Sequence, residues 1–141
     1  MRWIPADGAL LTVFPTLKKA NMTFSIKTGL ADLLLADGAL CAAIVDSDSG
    51  MMLGSAGTGV DLEMAAAGNT EVVRAKLKTM RQLGLNDDIE DMLITLGKQY
   101  HIIRLVKSKP GVFIYYVLDR VKSNLALARR RASDVEQQLA Y

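Results

Sequence analysis

The chain is poor in the residues that build disulfides and metal centres, with one cysteine, Cys41, and one histidine, His101, among 141 residues. A lone thiol cannot close an internal disulfide and suits a reducing compartment. One Cys and one His fall short of the four N/S ligands of a structural zinc site within a single chain. Long apolar runs are also missing, because Asp32, Asp37 and Asp46 break the best stretch before it nears the ~18 residues of a membrane helix. The short run over residues 9–14 behind Arg2 lacks a clear cleavage signal. Excess charge of one sign is absent too: 17 Lys and Arg against 15 Asp and Glu leave +2, too balanced to argue for nucleic acid. Only three prolines, 50% hydrophobic and 23% charged residues speak against wholesale disorder. The expectation is a soluble cytoplasmic chain of one domain, with no nucleic-acid partner and no membrane insertion.

Residues 1–24 show no sustained period, and Pro5 and Pro15 interrupt any helix there, so they are expected to form an N-terminal arm ahead of a domain over 25–141. From Ile26, the spacing of Ile26, Leu30, Leu33 and Leu34 predicts a short helix ending near Asp37-Gly38. Leu40 to Val45 is apolar throughout and precedes the turn formers 46–50 and then Met51-Met52-Leu53, which predicts a hairpin. Its second strand is expected to fade into a flexible, glycine-rich connection over 54–59. Asp61 can cap a middle helix whose Leu62, Ala66, Val73, Leu77 and Met80 share one face, with Gly84 as its stop.

Met92 to Leu96 and Tyr100 to Val106 read as antiparallel neighbours. Lys109-Pro110-Gly111 supplies a type II turn into Val112 to Leu118. A last helix is expected from Asp119 to Leu139, with Arg129, Arg130 and Arg131 on a solvated face. The first and fifth strands have no polar side and must be central. The predicted fold is therefore α+β, an αβα layered domain with a five-stranded antiparallel sheet of order 2-1-5-4-3. The middle helix covers one face and the first and last helices cover the other.

Several patterns invite chemistry and lack its full requirements. The glycines over 54–59 continue into Val60-Asp61, where a phosphate loop needs Lys followed by Ser or Thr. Asp46, Asp48 and Gly50 lack the spacing and final Glu of a calcium loop. His101 has no partner visible in sequence, and Cys41 reads as a small buried hydrophobe. Tyr115 and Tyr116 are expected to pack on opposite faces. Asp87, Asp88, Glu90 and Asp91 read as a solvated run entering an edge strand. No catalytic residue, cofactor site or metal site is expected.

Three segments carry a family resemblance: ADGALCAAIVDSDSGMMLGSAG at 36–57, AGNTEVVRAKLKTM at 67–80 and DDIEDMLITLGKQYHIIRLV at 87–106. With the element order, they resemble the roadblock family of dynein light chains, and its stand-alone bacterial members in particular. The resemblance implies a profilin-like layered domain that forms a homodimer, with antiparallel middle helices and paired third strands. It also implies a partner, a small Ras-like GTPase, and no enzymatic activity of the chain itself.

The residues fit that implication. Ala67, Gly68 and Ala75 make the outer face of the middle helix small, and a mid-helix glycine costs ~1 kcal/mol relative to Ala unless packing needs it. An antiparallel pair would bring Glu71 of one copy toward Lys78 of the other. Leu93, Ile94 and Thr95 form an uncharged edge for a second copy. The expected dimer interface is thus Ala67, Gly68, Glu71, Ala75, Lys78, Leu93, Ile94 and Thr95. The expected GTPase contacts are Glu63, Met64, Glu71, Arg74 and Lys78, with Arg74 as a candidate finger in trans. Alternatives on the same fold are a small-molecule sensor, with a pocket between the sheet and the first and last helices, and a structural assembly subunit.

Overall fold

The computed structural model describes residues 26–139, and the expected arm over 1–24 lies outside them. Within these residues α1 spans 26–33. It is followed by β1 (Ala39–Asp46), β2 (Met51–Gly57), α2 (Leu62–Gln82), β3 (Asp91–Thr95), β4 (Gln99–Leu105), β5 (Val112–Asp119) and α3 (Leu125–Gln138). The strands form one antiparallel sheet of order β2-β1-β5-β4-β3, as the sequence predicts.

The pleat explains the two apolar strands. On one face Cys41, Ala43, Val45, Phe113, Tyr115 and Val117 pack beneath Ala66 and Val73 of α2. On the other, Ala42, Ile44, Ile114, Tyr116 and Leu118 meet Leu30 and Leu33 of α1 and Ala128, Ala132 and Val135 of α3. Alternate side chains on both strands are therefore buried, in opposite directions. Tyr115 and Tyr116 part as expected, and the Tyr116 hydroxyl donates to the Leu33 carbonyl. Burial pushes that phenol up to about 12. The Cys41 thiol is also raised by burial, opposed by a backbone hydrogen bond from Val60.

Local chemistry sets the turns. The Asp46 carboxylate accepts from the Asp48 amide and the Ser49 hydroxyl, so its oxygens close its own hairpin. Gly111 at φ +94, with Val112 N donating to Lys109 O at 3.0 Å, makes the type II turn. Asp61 caps α2 by accepting from Met64 N at 3.2 Å. Among the described residues no helix is long and apolar enough to cross a membrane.

The structure corrects three boundaries. Helix α1 ends at residue 33, and a turn over 34–38 leads into β1, with Gly38 at φ +78. Strand β2 continues through Gly57, because Gly54 lies close under Leu30 and Ile26, which a Cβ would press at 3.0 and 3.1 Å, while Ser55 and Ala56 pair with Ala43 and Ala42. Helix α3 begins at Leu125 and not Asp119. The Asp119 carboxylate accepts from the amides of Val121 and Lys122 to hold a turn, and Asn124 caps the helix by accepting from Leu127 N. Val121, which falls in that turn, is 90% exposed.

Candidate protein-docking surface

Helix α2 covers β1 and β2 and presents a wide outer face. At 100° per residue, Met64, Gly68 and Ala75 point directly away from the sheet. All are exposed, and a Cβ at Gly68 would meet nothing. Among the described residues no packing therefore requires glycine there. Gly68→Ala is expected to stabilise the isolated fold by about 0.5–1 kcal/mol, read from urea unfolding at dilutions that keep the chain monomeric.

The two flanks of α2 differ. Glu63, Ala67, Glu71, Arg74 and Lys78 lie on the flank toward the β1–β2 turn, where Arg74 donates to Asp48 O at 2.9 Å and sits 3.7 Å from Glu71. Arg74 is thereby tied to its own hairpin. The opposite flank carries Ala65, Asn69, Val72 and Lys76 and turns toward β5, with the Asn69 side chain reaching the Tyr115 hydroxyl. Val72 is 43% exposed on that side.

Among the described residues strand β3 is a free edge of the sheet. Leu96 N donates to Gln99 O and Leu105 N to Glu90 O, which fixes the phase of the β3–β4 ladder. Even positions bond to β4, so Asp91, Leu93 and Thr95 direct their N–H and C=O groups outward. The side chains split: Ile94 lies on the α2 face opposite His101, whereas Leu93 and Thr95 lie on the α1/α3 face opposite Ile102 and Tyr100. The other edge, β2, has a register shift opposite Ile44/Val45 that leaves Leu53 out of the ladder. Such a bulge spoils an edge for regular pairing.

No protein-family model matches the sequence, and no curated protein matches it. Solved structures do match. Against Myxococcus xanthus MglB the TM-score is 0.73 at 20% identity, over 83% of this chain and 86% of that one. Against the gliding protein MglB from Thermus thermophilus it is 0.74 at 14% identity, over 84% and 88%. A Roadblock/LC7 domain from Streptomyces avermitilis gives 0.69 at 12% identity, over 79% and 91%. The fold is that of the roadblock domain.

Two polar networks brace this roadblock sheet, and neither is visible in composition or motif. Behind β3, Asp91 is only 9% exposed at its side chain and takes a two-pronged bond from Arg129 of α3 at 2.8 and 3.0 Å. Arg104 lies 4.0 Å from Asp91 and bonds Glu136 at 3.3 Å, and Glu136 also accepts from Lys107 N. The Asp91 bond holds the Arg129 guanidinium more firmly protonated. This corrects the expectation of a wholly solvated acidic run and a wholly solvated arginine face, since Arg131 also pairs with Asp32 at 3.5 Å. The second network centres on His101. Its Nε2 meets Gln99 Oε1 at 2.8 Å and its Nδ1 meets the Tyr115 hydroxyl at 3.0 Å, with the rings edge to face. Alternation along β4, which puts Gln99 and His101 on one side, is the sequence signal that could have paired them.

Among the described residues no group of three metal-ligating side chains occurs. The layer between the roadblock sheet and α1/α3 is filled by the core, with a cleft of about 140 Å³ at its rim beside Asn124 and Arg131. A larger cleft of about 330 Å³ lies on the other face, between Val73 and Leu77 of α2 and the β4–β5 turn.

Proposed function

We propose that the chain is a non-enzymatic regulator or scaffold of a small Ras-like GTPase, acting as a homodimer whose sheets join through β3. The observation that carries this reading is the uncharged outward edge at Leu93 and Thr95, beside an α2 whose crest is exposed and small. The roadblock fold and the segments resembling that family support the class of partner. In the pair, the two-fold axis passes between the β3 strands and turns the Ala65, Asn69 and Val72 flank of each α2 toward the other. Gly68 and Ala75 lie along the top of the seam. Ala67, Glu71 and Lys78 then belong, with Glu63, Met64 and Arg74, to the surface left open for the GTPase. Its action is positional, since Arg74 is engaged with the Asp48 carbonyl.

Leu93→Pro tests the edge, because it deletes an N–H that points away from β4 and leaves the intramolecular ladder whole. The expected result is a folded monomer by light scattering that no longer retains nucleotide-loaded GTPases in a pull-down. Val72→Glu should do the same from the helix side. A wild-type monomer, or a Leu93→Pro dimer of unchanged affinity, would sink the arrangement.

A further inference from the structure

We propose that His101 is a proton-responsive element that weakens the homodimer when its imidazole becomes charged, an inference that rests on the β3-paired dimer above. His101 is the chain's only histidine. It stands one strand in from the free edge, across from Ile94 on β3 and Val117 on β5, on the face that α2 leaves half open.

The hydrogen bonds around the ring have a direction. With the ring neutral, Nε2–H donates to Gln99 Oε1 and Nδ1 accepts from the Tyr115 hydroxyl. The Asn69 side chain of α2 lies beside that hydroxyl and donates its Nδ2 to the Ala65 carbonyl at 2.8 Å. An imidazolium donates from both nitrogens, so the Tyr115 oxygen must turn from donating to Nδ1 to accepting from it. Its own proton then loses its acceptor.

Among the described residues no neighbour offsets the added charge. From β4 the facing group is Gln99, from β5 Tyr115 with the Cys41 thiol beyond it, and from β3 Met92 and Ile94. From α2 they are Ala65, Asn69 and Val72, and the charged residue on that flank is the exposed cation Lys76. Among the described residues no carboxylate pairs with the ring. Burial already holds the imidazole below its usual range.

A second copy joined at β3 closes over Ile94 and this face and removes the water that would solvate both the cation and the stranded hydroxyl. The dimer therefore binds protons less tightly than the monomer. Association is at full strength above the monomer's ring pKa and is lost as pH falls through the lower value of the dimer. If closure lowers the ring by about one further unit, each copy contributes about tenfold, and the dissociation constant rises about 100-fold in acid.

The test follows the single imidazole by proton NMR across a pH titration at low and high protein concentration. Light scattering at about pH 8 and about pH 5.5 is run in parallel on wild type and His101→Gln. The expected result is a ring that titrates lower at high concentration, a wild-type dimer that dissociates in acid and a His101→Gln dimer that persists. Equal titration midpoints in monomer and dimer, or an identical acid response in His101→Gln, would overturn the switch while leaving the dimer in place. A wild type that stays monomeric at pH 8 would overturn the dimer and the switch together. Should His101→Gln fail to fold, the concentration dependence of the wild-type titration decides by itself.

Discussion

Arg104→Met is expected to destabilise the fold by about 3 kcal/mol, because removing one partner of a buried ion pair leaves the other charged and unpaired. Glu136 is 5% exposed and takes two bonds from Arg104, and among the described residues it otherwise accepts only from the Lys107 amide at 3.4 Å. Methionine fills much of the stem's volume, so the loss reports charge more than packing. The double variant Arg104→Met with Glu136→Leu is expected to recover most of the stability, since an apolar replacement of a whole buried pair is often neutral or better. Arg129, 48% exposed, is the contrast: Arg129→Ala should cost less than Arg104→Met, because its removal opens Asp91 to water and leaves Arg104 4.0 Å away. Urea midpoints of the four proteins check this. Equal losses in the single and double Arg104 variants would assign the effect to packing and not to the stranded carboxylate.

Gly57→Ala should cost about 3 kcal/mol or more, the sum of a strained backbone and a collision. Gly57 sits at φ +82, and a Cβ there would run into the Leu40 carbonyl oxygen and lie 2.8 Å from Cys41 Cα. Both are backbone atoms of the adjacent strand, and the same Leu40 carbonyl accepts from Thr58 N at 3.1 Å. Relief would require β2 to leave β1 at the point where the chain turns toward α2. The same methyl group at Gly68, where nothing lies within 4 Å, is expected to be neutral or stabilising. Opposite signs from one substitution at two glycines separate a backbone requirement from an open surface. If Gly57→Ala melted with the wild type, the connection from β2 to α2 would be looser than its geometry indicates.

The sheet order and the layer assignment were legible because β1 and β5 carry apolar residues at every position, which only a strand covered on both faces tolerates. The middle helix was legible in its period and its Asp61 cap. Boundaries were harder where short-range polar bonds compete with helix. Asp119 spends its carboxylate on the Val121 and Lys122 amides, which delays α3 to Leu125. Gly54 and Ser55 look like loop residues in isolation, and they become strand because β1 holds them and Leu30 packs over the glycine.

The sequence by itself determined the fold class, the strand order, the side each helix covers and the uncharged run that leaves β3 open. These depend on local period and polarity, which each segment carries in its own residues. Tertiary structure alone decided that Asp91, Arg104, Arg129 and Glu136 meet, that His101 joins Tyr115 with Asn69 beside its hydroxyl, and that Arg74 turns to the hairpin and not outward. Those contacts join residues far apart in the chain, 38 positions for Asp91 and Arg129, and no local pattern specifies which distant charge will fold back against which.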